Sequence, residues 1–329
     1  MRVCVFGAGA IGGHLAGRLA RGGAEVSVVA RGAALSAIRE KGLTVEAPDA
    51  TFTVRPDASD DPAALGPQDA VVVTVKGYQL PGVAAAIAPL LGPQTAVAFV
   101  MNGIPWWYFD RHGGALDGRA LPALDPGGAV RAAVGVERTI GGVVYSACTV
   151  REPGHVHVEN AKGKVILGEL DGSVSERAKA LSAALSAGGG LSSPVVPDIR
   201  REVWMKLVSN ISFGPLCLLS RQGIGPTLAE PALRAAAVRA LEEAGTIARG
   251  LGLPLDFDAD ARVKGSEPVA HKPSILQDME AGKTVEMEAM LVQPLALARM
   301  AGVETPTLDL LVGLARKAAE ASGQYVPAG

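Results

Sequence analysis

Short apolar runs rich in β-branched residues recur through the first half of the chain, at RVCVFG (2–7), EVSVVA (25–30), AVVVTV (70–75) and AVAFVM (96–101). Between them apolar positions return every three to four residues, which predicts helices over 10–22, 33–41 and 79–91, with weak short strands around 43–55. Strands alternating with amphipathic helices are the pattern of βαβ units and a parallel sheet. Further strands are expected near 142–149, 155–159 and 164–168, then a helix over 173–187. The stretch from Pro105 to Ala129, rich in Gly, Pro and Asp, reads as an inserted loop. Its Trp106, Trp107, Tyr108 and Phe109 suit a pocket cover, a contact with a second subunit or a satellite core, so a homodimer stays open.

After Pro197 the pattern changes. From Ile199 onward the chain is Ala-rich and strand-poor, with helices expected near 199–213, 229–250, 284–300 and 306–321. Gly214-Pro215 is expected to break or kink the first of these, because proline lacks the amide proton and crowds the preceding turn. Two domains follow, 1–197 and 198–329. The first of the late helices contains an anomaly. Ile199, Val203, Leu207, Phe213 and Cys217 lie near one face, and Lys206 and Asn210, stacked on successive turns, fall on or beside that stripe. Burying an ammonium and a carboxamide without a ligand or partner is costly, so both are candidates for chemistry. Hydride delivery to a ketone leaves negative charge on its oxygen. A positioned ammonium stabilises that charge and supplies the proton, while the amide of Asn210 can orient substrate.

Composition narrows the field. The 31 basic and 33 acidic side chains give a net charge of -2, and no basic run with interleaved aromatics points to nucleic acid. The expected partner is a small molecule. The five-residue apolar run near the N-terminus is too short for a signal peptide or a membrane span, and the expected location is cytoplasmic. Cys4, Cys148 and Cys217 form no CxxC pair and read as reduced thiols. The five histidines are too dispersed for a metal site: His155 and His157 alternate on a predicted strand and lack a third ligand.

GAGAIG at 7–12 matches the dinucleotide fingerprint, in which Gly7 makes a tight turn, Gly9 admits a pyrophosphate and Gly12 allows close helix packing, with Ala8, Ala10 and Ile11 between them. With 41 glycines in 329 residues a three-glycine pattern is expected about 0.6 times by chance. Its context, after an apolar strand and opening a helix, carries the assignment. The fold class is therefore α/β, a Rossmann-type dinucleotide-binding domain followed by an all-α domain. The second strand ends in Ala30-Arg31 where an NAD-preferring fold places a carboxylate, and a guanidinium there suits the 2'-phosphate of NADPH. Lys76 and Asn102 close the next two long strands, at the sheet edge where ligands of such folds bind.

The chain resembles the ketopantoate reductases (2-dehydropantoate 2-reductases), which reduce ketopantoate to D-pantoate with NADPH in pantothenate biosynthesis. GAGAIGG at the start, VKGYQ at 75–79, MNG at 101–103, WMKLVSN at 204–210 and SILQDMEAGKTVEME at 274–288 carry the likeness, in order, over nearly the whole chain. The resemblance implies an active site in a cleft between the two domains. It implies cofactor contacts from Gly7, Gly9, Gly12, Arg31, Lys76 and Asn102, with Asn102 also near substrate. It implies Lys206 as general acid, Glu286, expected in the first turn of a helix, as its acidic partner, and Asn210 and Ser274 as substrate-binding groups. Two departures stand out. Gly214-Pro215 occupies the place of a family Asn-Pro pair, and SRQGIGPT at 220–227 lacks a further family Asn. Another branched 2-oxo acid or an imine is thus an alternative substrate, and a non-catalytic NADP(H) sensor an alternative of another class.

Overall fold

The computed structural model describes residues 1–325 and Pro327. The chain divides into two compact units, Met1–Met101 with Pro105–Ile199, and Asn102–Ile104 with Arg200–Gly329. The second unit thus takes a tripeptide from within the first half of the sequence, which a single cut near Pro197 does not anticipate.

The first unit comprises β1 (Arg2–Phe6), α1 (Ala10–Arg21), β2 (Glu25–Val29), α2 (Gly32–Lys41), β3 (Leu43–Ala47), β4 (Ala50–Val54), β5 (Asp57–Ser59), β6 (Gln68–Val73), α3 (Leu80–Ala86) and β7 (Leu91–Val100). It continues with α4 (Ala129–Val134), β8 (Thr139–Tyr145), β9 (Cys148–Glu152), β10 (His155–Val158), β11 (Gly163–Glu169), α5 (Glu176–Ala187) and β12 (Leu191–Ser192). Eight strands form one sheet in the order β12-β11-β8-β7-β6-β1-β2-β5, parallel except where β8 meets β11. Its central strands are buried on both faces, which is why they read as continuous apolar runs.

Several elements differ from the sequence reading. The weak strands of 43–55 form a hairpin that joins β9 and β10 in a separate four-stranded sheet, ordered β4-β3-β10-β9, packed against α1. The helix expected over 79–91 shortens to α3 between two 3₁₀ turns, with Pro81 and Pro89 each in a first turn, where a missing N–H costs least. Trp106, Trp107, Tyr108 and Phe109 are all buried: they form core of the first unit, not a surface patch. The buried Asp110 below them pairs with Arg131 at 2.6 Å.

The second unit contains α6 (Ile199–Ser220, entered from the first), α7 (Ile224–Leu228), α8 (Pro231–Gly250), α9 (Ala259–Ser266), α10 (Ser274–Glu280), α11 (Gln293–Met300) and α12 (Pro306–Ala321). Helix α6 runs on through Gly214-Pro215 to Ser220, so the expected break does not occur. Trp204, Val208, Ile211 and Leu218 are as buried as the expected stripe, so apolar contact surrounds the helix and outweighs the cost of an interior proline. Among the described residues α6 alone has the length and hydropathy of a membrane span, yet 67% of that window is buried inside the protein, as in a core helix. Helix α8 packs against α7, α9, α11 and α12, and its Glu243 accepts the Thr307 and Leu308 N–H groups, satisfying the start of α12. All three cysteines are free, Cys4 and Cys217 buried and Cys148 half-buried.

One polar chain crosses the apolar packing of α1. Arg18 pairs with Asp49 through two bonds of 2.6 and 2.8 Å and donates from Nε to His14 Nε2 at 3.3 Å. The His14 proton therefore sits on Nδ1, facing Ser146 Oγ at 3.1 Å. Burial, helped by the Arg18 charge, pushes the His14 imidazole down to about 4. Because the unfolded chain takes up that proton first, this stability is complete above about pH 6.5 and is lost as pH falls toward 4. Urea unfolding should show stability falling by about 2 kcal/mol between pH 7.5 and 5 from this residue. In His14→Gln the fall over the same range should be smaller by that amount.

Candidate functional site

The parallel pairing of β1 with β2 on one side and β6 on the other brings Phe6, Val29 and Val73 level, so the segments that follow these strands leave the sheet at one edge. Gly7 turns there with φ +111° and donates its N–H to the Val29 carbonyl at 3.0 Å. Thr74 Oγ1 donates to the Gly7 carbonyl at 3.0 Å and ties the turn to the end of β6. A Cβ on Gly12 would stand 1.8 Å from that same carbonyl, so only glycine lets α1 start this close to the turn. At Gly9 the space is open: the residue is exposed and an added Cβ would meet nothing within 4 Å. Gly9 sits at the N-cap of α1 with no side chain capping it, and the first turn, Ala10 to Gly12, holds no acidic residue. Free N–H groups and the positive helix end suit a phosphate. Arg31, exposed at the N-cap of α2, and Lys76, half-buried at the N-cap of a 3₁₀ turn over 77–79, follow β2 and β6 at the same edge.

The second unit gathers the other predicted residues. Lys206, Asn210 and Gly214 recur every four residues along one face of α6. Lys206 Nζ donates to Asn102 Oδ1 at 2.7 Å. The two residues after Asn102 hold it in place. Gly103 turns with φ +81°, and the Ile104 N–H donates to the Ala289 carbonyl at 2.8 Å. Ala289 lies in a π-helical turn, Glu288–Val292, that leads into α11; such single turns recur at functional sites. Burial pushes the Lys206 ammonium down to about 8, with the charge of Glu286 acting in the opposite direction. Glu286 is itself buried, and it precedes the helix that begins at Met287, so it does not occupy a first helical turn as expected. The wider π turn displaces the regular helix to Gln293. Asn210 and Ser274 are both half-buried, and neither side chain bonds to a described protein group. Ser274 is the first residue of α10, with Pro273 at the N-cap, so it does not cap the helix.

Two family models match, "Ketopantoate reductase PanE/ApbA" over residues 3–107 and "Ketopantoate reductase PanE/ApbA C terminal" over 198–319, together more than half of the chain. The 2-dehydropantoate 2-reductase of Mesorhizobium japonicum is 41% identical, covering 99% of this chain and 100% of its own. The chain belongs to the ketopantoate reductase family. A candidate ketopantoate reductase of Ralstonia solanacearum MolK2 superposes with a TM-score of 0.92 at 38% identity, over 98% of this chain and 99% of its own. The 2-dehydropantoate 2-reductase of Geobacter metallireducens GS-15 does so at 0.84 and 28%, over 97% and 100%. As a ketopantoate reductase family member the chain is an NADP-dependent oxidoreductase acting on a CH–OH group, which sets the non-catalytic sensor aside.

Some residues that shape the site carry no signal in the sequence of this family member. Thr74 reads as one more β-branched strand residue, and Ala289 as an ordinary helical alanine. Gly103 has a hint in the MNG triplet, since Asn-Gly favours a turn, but not in its partner. A Cβ at 103 would lie 2.4 Å from the Ala289 carbonyl at a backbone angle that L-residues adopt at a cost. Gly103→Ala should therefore lower stability by about 2–4 kcal/mol in chemical denaturation. An unchanged midpoint would mean that the π turn yields freely.

Proposed function

We propose that this protein reduces ketopantoate to D-pantoate with NADPH, the step that supplies pantothenate biosynthesis, and that Lys206 is the general acid. The observation that carries the proposal is the Lys206 ammonium, bonded to Asn102 and brought by burial to about 8, a value suited to giving up a proton near neutral pH. Domain roles accompany it: the first unit, about 1–197, binds cofactor and the helical remainder of the chain holds the acid.

The residues at the sheet edge fit NADPH. The open space at Gly9 and the uncapped start of α1, with Ala8, Ala10 and Ile11 around it, would hold the pyrophosphate, and Arg31 the 2'-phosphate. Lys76 and Asn102 would contact the cofactor near the ends of β6 and β7. NADPH, when bound, supplies the hydride that reaches the carbonyl carbon of the substrate. As negative charge grows on the carbonyl oxygen, Lys206 stabilises it and passes its proton there, leaving a hydroxyl, and then regains a proton from solvent. Asn102 aims the ammonium, Glu286 favours its charged form, and Asn210 and Ser274 bind the polar groups of the substrate.

Gly214 favours a second reading of the substrate. One turn beyond Asn210, a Cβ at 214 would meet only Ile275, at 3.4 Å, so this part of the stripe is apolar where a carboxamide is the family pattern. That suits a branched 2-oxo acid with fewer polar groups, and kcat/KM across a panel of 2-oxo acids decides between the two.

NADPH oxidation with ketopantoate should be lost by about 10²–10⁴-fold in Lys206→Ala, with NADPH affinity near wild type. Since the protonated form acts, kcat/KM should fall as pH rises above about 8. In Glu286→Gln the limb should move to lower pH, because the charge that favours the ammonium is gone. Normal turnover in Lys206→Ala sinks the mechanism. Arg31→Ala should weaken NADPH binding by about 1–3 kcal/mol while sparing NADH, measured by titration of both cofactors.

A further inference from the structure

We propose that Gln324 and Tyr325, at the far end of the chain, are positioning residues that hold Glu286 in place for Lys206. The inference rests on the acid–base reading of Lys206 above.

Residues 281–286, between α10 and the helical turn that starts at Met287, form neither helix nor strand, so no backbone ladder sets their path. Turn bonds tie Gly282 to Met279 and Lys283 to Asp278, and contacts from the residues just after α12 add to them. The Gln324 side-chain amide points at three carbonyls, Asp278 at 3.3 Å and Met279 at 3.0 Å in the last turn of α10 and Lys283 at 2.9 Å within the stretch. Its two hydrogens are shared among the three. The Gln324 carbonyl accepts the Val285 N–H at 2.9 Å, and the Gln324 N–H returns to Ala319 of α12 at 3.0 Å. The next residue anchors the chain on the other side of Glu286 in sequence, the buried Tyr325 hydroxyl donating to Glu288. Glu286 thus lies between two held positions, 285 and 288, each fixed by one of two consecutive residues, and its charge acts on Lys206. Burial and the Glu288 charge raise the Tyr325 phenol well above its usual value, so this hydroxyl remains a donor through the working pH range.

The effect of Glu286 on Lys206 depends on their separation, since Coulomb energy falls as the distance grows. A loosened clasp therefore has a signature that simple destabilisation lacks. In Gln324→Leu and Tyr325→Phe the basic limb of kcat/KM should move to lower pH by about half a pH unit or more, in the same direction as in Glu286→Gln. Asn102 and Glu286, which both act on Lys206, are untouched in both variants. NADPH affinity should stay near wild type. Val312→Ala, which opens a gap in the buried face of α12 away from the clasp, should lower Tm without moving the limb. Tyr325→Phe removes one oxygen and keeps the ring, so it reports even if Gln324→Leu folds poorly. If Lys206→Ala and Glu286→Gln behave as stated above while both clasp variants keep the wild-type limb, the clasp is structural only and the inference is overturned. If Lys206→Ala turns over normally, the parent reading fails first, and the two failures are told apart.

Discussion

A half-buried lysine whose ammonium is taken out of water and kept beside a carboxamide is the constraint that the second unit is built around. Desolvation favours the neutral amine, and Glu286 works against it, so the proton is held with a strength set by two opposed effects. Such a balance is sensitive to small displacements. The supporting residues accordingly leave little freedom: the Lys206–Asn102 bond of 2.7 Å depends on a turn at Gly103, and that turn is pinned by Ile104 to a carbonyl of a π-helical turn. A regular α-helix through 288–292 would direct its carbonyls along its own axis and present a different backbone surface to Gly103.

The first unit is shaped differently, with backbone left open at one turn in a way that suits an anion. Side-chain volume is removed at Gly7, Gly9 and Gly12, and the polar groups that remain are main-chain N–H groups at the start of α1. Rigidity comes from the neighbouring strands, through the Gly7–Val29 and Thr74–Gly7 bonds. The two units thus differ in the groups they present, main-chain N–H groups with Arg31 and Lys76 in the first and a lysine held out of water in the second.

Much of this was legible in the sequence because it is local. Apolar periodicity placed β1, β2, β6 and β7, and the glycine spacing marked the turn after β1. The polar pair Lys206 and Asn210 stood out against the apolar residues of α6. Where local pattern and structure part, the reason is equally physical. Gly214-Pro215 has the local character of a helix stop, yet α6 continues through it, because burial on nearly all sides outweighs one lost hydrogen bond. The four aromatic residues at 106–109 look like a surface patch only while the strands that cover them are not in place.

The sequence by itself determined the class of the first unit, the nucleotide fingerprint and the candidate acid, since each rests on residues within a few positions of one another. Tertiary structure alone decided which groups meet. Asn102 joins Lys206 across 104 positions, Ile104 finds Ala289 across 185, and Gln324 reaches back to the loop of Glu286. Those pairings arise from the way strands and helices stack, and a hydrogen bond leaves no trace in the periodicity of either partner's segment. The environment of Lys206 belongs to the same category, because the water it loses is excluded by residues brought in from elsewhere in the chain.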